Sequence, residues 1–167
     1  MASHDLMPLL LDGKFDVAFV TAKQLPEGVH GAHICTEKVM LVVPQGHPLQ
    51  KKGRATWADV ASHALVQREK SSETRRVFEL AAKHAGIALN TVLALGSWGS
   101  IVTTVHAGMG IGVAMQGEVT PPDNLVTVPI DDDSLSVSHY LICLPEMRHV
   151  AAINAMFLSA EIRNGPA

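Results

Sequence analysis

The residues best suited to chemistry in this sequence are hydroxyl side chains that stand where predicted helices begin or predicted strands end. Ser97 and Ser100 follow the strand-like segment TVLALG and precede an apolar helical segment. The N-terminus of a helix offers unpaired backbone N–H groups and a partial positive charge, which suit a small anion. The same situation recurs at Ser3, at Thr21 and at Ser71 with Ser72. Two interpretations stay open: contact with a bound ligand, or simple capping of a helix while Trp98 covers the core.

The glycine-rich segment GMGIG, residues 108–112, does not predict a nucleotide-binding loop. Such a loop leads from a strand into a helix, whose free N–H groups then hold the pyrophosphate. Here the predicted order is helix followed by strand, so the glycines indicate a helix C-cap and a tight turn. The chain also has neither a GxSxG nucleophile elbow nor a Walker lysine.

The histidines and cysteines predict neither a metal site nor a catalytic site. His30, His33 and Cys35 lie in a strand-like region, without the helical i, i+4 spacing or the nearby carboxylate of a zinc site. Cys143 stands in the middle of a predicted strand with no evident base, which makes it a poor nucleophile. We therefore expect surface or structural histidines, buried free thiols, no metal, no cofactor and no enzymatic activity.

Hydrophobic patterning predicts strands that alternate with helices. Strands are expected at Phe15–Thr21, as two segments within 29–44, and at ALVQ, TVLALG, IGVAM, LVTVPI and SVSHYLICLP. Helices are expected at 3–11, after Thr56, at ETRRVFELAAKHAG with Ser71 or Ser72 as its cap, from Ser97 to His106, and at HVAAINAMFLSAEIR. This alternation is typical of βα units and predicts an α/β class with a mainly parallel sheet.

Composition limits the class of protein. The 167 residues are 47% hydrophobic and 17% charged, which is enough for a buried core and argues against disorder. The net charge of -3 gives no electrostatic reason to expect nucleic-acid binding by this chain itself. Two isolated cysteines suit a reducing compartment, and neither a signal peptide nor a membrane span is evident, so we expect a cytoplasmic protein.

The order of the segments resembles the effector-binding domain of LysR-type transcriptional regulators. The similarity covers nearly the whole chain, from SHDLMPLLLDGKFDVAFVT through EKVMLVVPQGHPL and TWADVASHALVQ to LALGSWGSIVTTVHAGMGIGVAM. No single motif decides the matter, but VVPQGHPL and AGMGIGVAM in this order and spacing are together quite specific.

The resemblance implies a two-lobed fold like that of type 2 periplasmic binding proteins, with mixed, mainly parallel sheets. Lobe I would hold 1–45 plus 135–167 and lobe II 46–134, joined by crossing strands at VMLVVP and SVSHYLIC. A ligand cleft lies between the lobes in this family. The positions that match its lining are Ser3, Thr21, Lys70, Ser71, Ser72, Ser97, Trp98 and Ser100. The hydroxyl groups and helix N-termini favour an anionic small-molecule effector.

The family's quaternary structure implies a homodimer, with a tetramer in the full-length regulator. Apolar contacts between copies are expected from Leu6, Leu9, Leu10, Val102 and Val105, all of which could equally be core residues. The family's N-terminal winged helix-turn-helix has no counterpart in this sequence. Operator DNA would therefore be bound only through that absent domain, and no contact with a membrane is expected.

The resemblance begins just after the family's first regulatory strand, a central strand of lobe I. Without that strand the lobe I sheet should have an exposed edge, open to pairing with another chain, beside FDVAFVT. Either a preceding segment is missing or the fragment compensates for it.

Two alternatives to a transcriptional sensor remain. The first is a periplasmic-type solute-binding protein of the same fold, against which the short chain and the lack of a signal peptide count. The second is an enzyme on the same scaffold, which no feature of the sequence favours.

Overall fold

The computed structural model describes the backbone of residues 3–163, with the side chains of this range apart from His4 and 161–163. The helices are α1 (Ser3–Leu11), α2 (Pro48–Lys52), α3 (Trp57–Ala61), α4 (Glu73–His84), α5 (Trp98–His106) and α6 (Ala151–Arg163). The strands are β1 (Val17–Ala22), β2 (His30–Pro44), β3 (Leu65–Arg68), β4 (Thr91–Leu95), β5 (Ile111–Met115), β6 (Leu125–Val128) and β7 (Ser136–Cys143).

The chain forms two compact units that share β2 between them. The first unit combines the chain up to Thr36 with the chain from Val137 onward, and the second unit is Glu37–Ser136. The lobes were expected to divide at 45/46 and 134/135. The first boundary lies nearer the start of the chain than expected, between Thr36 and Glu37. The reason is that the second half of β2 pairs with β5 and β6, which belong to the second unit.

The sheet of the first unit is covered by a helix on each face. β1 pairs antiparallel with β7, and β7 also pairs with β2. Because successive residues of a strand face opposite sides, Ala18 and Val20 pack with Leu10 of α1 on one face. On the other face, Leu141 and Cys143 pack with Ile153 and Phe157 of α6.

The outer edge of β1 is open. β1 is the last strand in its sheet, and no strand within the described range pairs with the side of β1 that faces away from β7. The expected exposed edge beside FDVAFVT is therefore confirmed.

The sheet of the second unit has the order β6–β2–β5–β3–β4. β3 pairs in parallel with β4 and with β5, whereas β2 pairs antiparallel with β5 and β6. α5 covers one face, where Ile101 and Val105 pack against Val42, Val66 and Ala114. Mixed pairing is confirmed, but the parallel majority expected from βα alternation is not seen among these pairs. Both antiparallel pairs of this sheet involve β2, the strand that runs from the first unit into the second.

The turn between α5 and β5 depends on its glycines, as the sequence indicated. Gly108 ends the helix with φ 72°, a conformation that favours glycine. A Cβ on Gly110 would lie 2.6 Å from the carbonyl oxygen of Ala64, the atom that accepts the hydrogen bond from the N–H of Ile111. The backbones of these two segments can therefore approach only without a side chain at 110.

Three further expectations are corrected. β2 is one strand of 15 residues where two segments were predicted. α2 was not predicted, because its five residues are too few to show a period. Leu10 and Val105, offered as dimer contacts or core residues, are both fully buried within their own units. They are therefore removed from the predicted interface, while Leu6, Leu9 and Val102 are only partly buried.

Leu10 and Leu11 provide a matched test of this assignment. Leu10→Ala should lower the free energy of unfolding by about 2–5 kcal/mol because it opens a cavity in the core. Leu11 is 56% exposed, so Leu11→Ala should change that free energy by no more than about 0.5 kcal/mol. Urea unfolding measures both; similar losses in the two variants would contradict the assignment of Leu10 to the core.

Candidate functional site

Three parallel strands of the second unit end at one edge of its sheet. β3 ends at Arg68, β4 at Leu95 and β5 at Met115. The chain leaving β3 stays beside β4, because the N–H of Glu69 donates to the carbonyl oxygen of Leu95 at 3.1 Å. Ligands of open α/β sheets bind beyond the carboxyl ends of such strands. The predicted residues of Lys70–Ser72 and of Ser97–Ser100 follow the first two strands, so the structure brings them to this edge.

The two helices that begin at this edge are capped differently. At α5, Ser97 is the N-cap, and its hydroxyl accepts a hydrogen bond from the N–H of Ser100 at 3.2 Å. The hydroxyl groups of these two serines lie 2.8 Å apart and both residues are exposed. At α4, Ser72 occupies the N-cap, but its hydroxyl makes no capping hydrogen bond. The predicted cap is thus present in position only, with Ser72 buried and Ser71 exposed.

Arg68 is the residue of this edge that sequence reasoning missed. Its guanidinium donates to both carboxylate oxygens of Glu69 at 3.2 and 3.3 Å and to Glu118 at 3.3 Å. A fourth contact reaches the carbonyl oxygen of Gly96 at 3.5 Å. Charge-assisted hydrogen bonds are usually about 2.7–2.9 Å long. Arg68 therefore divides its donors among several distant acceptors.

The contrast with Arg76 shows how loosely Arg68 is held. Arg76 forms a bidentate pair with Glu73, with both N–O distances at 2.6 Å. Arg75 is committed elsewhere: it donates to the carbonyl oxygen of Arg68 at 3.0 Å and to Glu79 at 2.7 Å. The final carbonyl of β3 is thus fixed by Arg75, while the side chain of Arg68 keeps weakly engaged donors.

Glu69, which contacts Arg68, carries negative charge at neutral pH. Partial burial acts to raise the pKa of Glu69, but hydrogen bonds from Arg68 and from the backbone, with the charge of Arg68, outweigh it and lower that pKa. Glu118 accepts a second hydrogen bond from the N–H of Met115 at 3.0 Å. Glu118 is therefore held by hydrogen bonds from both Arg68 and the backbone.

Trp98 contributes packing at this edge. Its ring lies against the core cluster under α5, and its indole N–H donates to Asp123 at 3.3 Å. The alternative that Trp98 covers the core is the one the contacts support.

The first unit carries a second group of predicted residues. Ser3, the first residue of α1, accepts a hydrogen bond through its hydroxyl from the N–H of Thr21 at 2.8 Å. The hydroxyl of Thr21 lies 3.1 Å from Nδ1 of His139, a buried residue whose ring stacks on Phe19. His139 was not predicted, because only the pairing of β1 with β7 places it opposite Thr21.

A match to a protein family identifies the kind of domain that carries these residues. Residues 1–160 match the family model described as the LysR substrate binding domain. The chain belongs to this family.

Two curated relatives of this LysR substrate binding domain are transcriptional regulators. An uncharacterized HTH-type transcriptional regulator of Methanocaldococcus jannaschii is 31% identical over 118 residues, which are 67% of this chain and 39% of the relative. The HTH-type transcriptional regulator SsuR of Burkholderia cenocepacia is 30% identical over 95 residues, 57% of this chain and 31% of SsuR. The chain thus spans about a third of the length of these relatives.

Solved structures with the same fold include two described with a ligand. The CcmR regulatory domain of Synechocystis, in complex with 2-PG, superposes with a TM-score of 0.85 at 19% identity, over 100% of this chain and 83% of that one. The effector-binding domain of QuiR, in complex with shikimate, gives 0.80 at 18% identity, over 99% and 78% of the two chains. The predicted two-lobed fold is confirmed.

Two histidines of β2 in this LysR substrate binding domain have structural partners. Nε2 of His30 accepts a hydrogen bond from Arg148 at 2.8 Å, and Nε2 of His33 lies 2.9 Å from the hydroxyl of Thr36. Among the described side chains, no group of three or more His, Cys, Asp or Glu is arranged to hold a metal ion. In the part of the chain that the structure describes, no helix has the length and apolar character to cross a membrane.

The expectation of two buried thiols holds for one cysteine. Cys143 is buried, and this burial raises its pKa. Cys35 is exposed, because it lies on the face of β2 opposite to Ala32 and Ile34, which pack into the core. The buried-thiol expectation for Cys35 was wrong.

Ser97 and Ser72 test the difference between the two helix starts. Ser97→Ala removes a capping hydrogen bond and should cost about 1 kcal/mol of unfolding free energy. Ser72→Ala removes no cap and should cost about 0.5 kcal/mol or less. Chemical denaturation of the two variants provides the measurement, and a larger loss for Ser72→Ala would reverse the assignment of the caps.

Proposed function

We propose that this chain is the effector-sensing part of a longer transcriptional regulator and that its effector is a small anion. The support is the match of residues 1–160 to the LysR substrate binding domain, together with the two regulators among its relatives. The fold is also that of domains described in complex with 2-PG and with shikimate. Binding without turnover is the function proposed, and both named relatives are regulators rather than enzymes.

The main support for an anionic effector is that Arg68 is held only by long hydrogen bonds. An incoming carboxylate or phosphate could exchange with Glu118 at the guanidinium, since the present contact of 3.3 Å is long for an ion pair. The N-terminus of α5, with the exposed hydroxyls of Ser97 and Ser100, lies at the same edge and adds donors of the right polarity. We propose that Lys70 and Ser71 contribute to this binding, and Ser3 and Thr21 from the first unit.

The proposed mechanism is a shift between conformational states. An effector changes their populations only by as much as its affinity for the two states differs. In the full-length regulator this shift would pass through contacts between copies in a homodimer to DNA-binding domains outside this chain. A regulator of this kind would act in the cytoplasm. The regulators among the relatives favour this function over that of a periplasmic solute-binding protein.

A thermal-shift screen tests the anionic effector. Small carboxylates, phosphates, sulfates and neutral polyols are compared, because a ligand that binds only the folded state raises its apparent stability. We expect a saturable increase in melting temperature with at least one oxyanion. Shifts confined to neutral compounds would contradict the anionic effector, and no shift at all would contradict effector binding by this chain.

Variants at the edge of the second unit locate the site. With the oxyanion found in the screen, Ser100→Ala and Arg68→Gln should each weaken binding, the latter by about tenfold or more because a charged hydrogen-bond donor is lost. Glu118→Gln should tighten binding, since it removes the internal competitor for Arg68. Ser159→Ala is the control, because this exposed hydroxyl donates only to the carbonyl of Ala155 within α6. Equal affinity in all four variants would place the site elsewhere.

Thr21→Val tests the contribution of the first unit. It should weaken effector binding and also reduce stability, because Nδ1 of the buried His139 loses its hydroxyl neighbour. The loss should be about 1 kcal/mol. Isothermal titration calorimetry separates the two effects when it is done well below the melting temperature of the variant.

A further inference from the structure

The short helix α2 depends on a histidine at its start. His47 is the N-cap of α2, and its Nδ1 accepts a hydrogen bond from the N–H of Leu49 at 3.2 Å. A helix of five residues has little stability of its own, because its first turn is costly to form and few hydrogen bonds follow. The cap at His47 and the left-handed Gly53 at the other end therefore contribute much of what holds α2 in place.

The hydrogen bond at His47 is incompatible with protonation of its ring. Nδ1 accepts from Leu49 through its lone pair, so the proton of the neutral ring is on Nε2. A second proton has to enter at Nδ1, where it converts the acceptor into a donor. The N–H of Leu49 and the new Nδ1–H then face each other, and α2 loses its side-chain cap.

A second histidine lies close to the first and is held in the opposite way. The rings of His47 and His63 have centroids 5.5 Å apart. Nδ1 of His63 lies 2.7 Å from the carbonyl oxygen of Asp59, which can only accept, so this Nδ1 carries the proton. Protonation of His63 at Nε2 leaves that hydrogen bond intact. The first proton taken up by the pair therefore belongs on His63.

The surroundings of α2 also oppose a charge on His47. Partial burial and, to a smaller extent, the charge of His63 lower the pKa of His47 below its ordinary value. Lys51 stands four residues further along α2, at a spacing where like charges repel. Lys52 contacts Asp59 at 2.5 Å, so these two charges offset each other, and β6, which packs on α2, has no charged residue.

The pair lies at the edge of the sheet opposite to the candidate site. α2 follows the end of β2 at Pro44, and His63 stands just before β3. Because β2 is antiparallel to β5, its end lies beside the start of β5, where Val42 pairs with Gly112. The candidate site lies beyond the other ends of β3, β4 and β5. A response at His47 therefore requires no contact with a bound effector.

We propose that His47 and His63 make the start of α2 sensitive to pH: acid protonates His63 first, and a proton on His47 then opens the turn that contains Leu49. Leu49 is 4% exposed, so this opening releases a side chain from the core. The folded ring of His47 takes up a proton less readily than an unfolded ring. Its stabilising effect is thus fully present above pH 6.5, the ordinary pKa of histidine, and is lost as the pH falls below that value.

NMR titration tests the order of protonation. Between about pH 8 and pH 5, the range in which histidines change charge, His63 should titrate before His47 as acid is added. The N–H signal of Leu49 should shift together with His47. His63→Gln removes the neighbouring charge, so His47 should then titrate at a higher pH. His149→Gln is the control, because this exposed histidine lies in the first unit, and it should leave the titration of His47 unchanged.

His47→Asn separates capping from titration. Asparagine is a good N-cap, and its side-chain oxygen accepts a hydrogen bond at any pH in this range. Amide hydrogen exchange, corrected for its intrinsic rate, reports how well the N–H of Leu49 is protected. From about pH 8 to pH 5 this protection should fall by about fivefold in the wild-type chain, as for the loss of a cap, and should stay constant in His47→Asn.

Three results would overturn the proposal: protonation of His47 before His63, a wild-type protection of Leu49 that does not change with pH, or the same fall in protection in His47→Asn. Circular dichroism verifies that each variant is folded. The wild-type measurements test the first two points without any variant. Effector binding is measured at constant pH, so failure here leaves the proposed function intact.

Discussion

Backbone hydrogen bonding along β2 is the constraint on which both units depend. Buried N–H and C=O groups must find partners, and β2 finds them in β7, in β5 and in β6 over one uninterrupted run of 15 residues. Its second half is fully buried from Val39 to Val43. A break in this strand would leave unpaired polar groups in the core of the second unit and would also remove a neighbour from the sheet of the first.

The elements could be predicted from the sequence wherever a local signal was strong. Ser97 as a cap, the glycine turn after α5 and the apolar strand IGVAM all follow from residue type and spacing, and the structure has each of them. The relation of strands to one another could not be predicted in this way. The antiparallel pairing of β2 with β5 joins residues 70 or more positions apart, and no local pattern encodes it. The resemblance to a known family predicted the two-lobed arrangement, whereas periodicity alone indicated only an α/β class.

The residues of the candidate site show the same contrast between local sequence signals and long-range strand pairing. Hydroxyl residues at helix starts are visible in the sequence because the turn that exposes them is local. Arg68, Glu118 and His139 were missed because each acquires its place through strand pairing. One signal for Arg68 was available: a charged residue as the last member of the apolar strand ALVQR, at the edge where ligands bind. Ser72 shows the opposite limit, since a residue of the right type in the right place still makes no capping hydrogen bond.

Gly110 lies so close to the backbone of Ala64 that its position cannot accept a side chain, whereas other positions near α5 can be substituted. Any side chain there would collide with the carbonyl of Ala64, so the connection between α5 and β5 tolerates no enlargement. The serines at the other end of α5 are exposed, and neither is required for the packing of the helix on its sheet. Under the proposed function, single substitutions at 97 and 100 would change ligand preference while the scaffold stays fixed. Such a division lets one fold acquire new chemical specificities without passing through unstable intermediates.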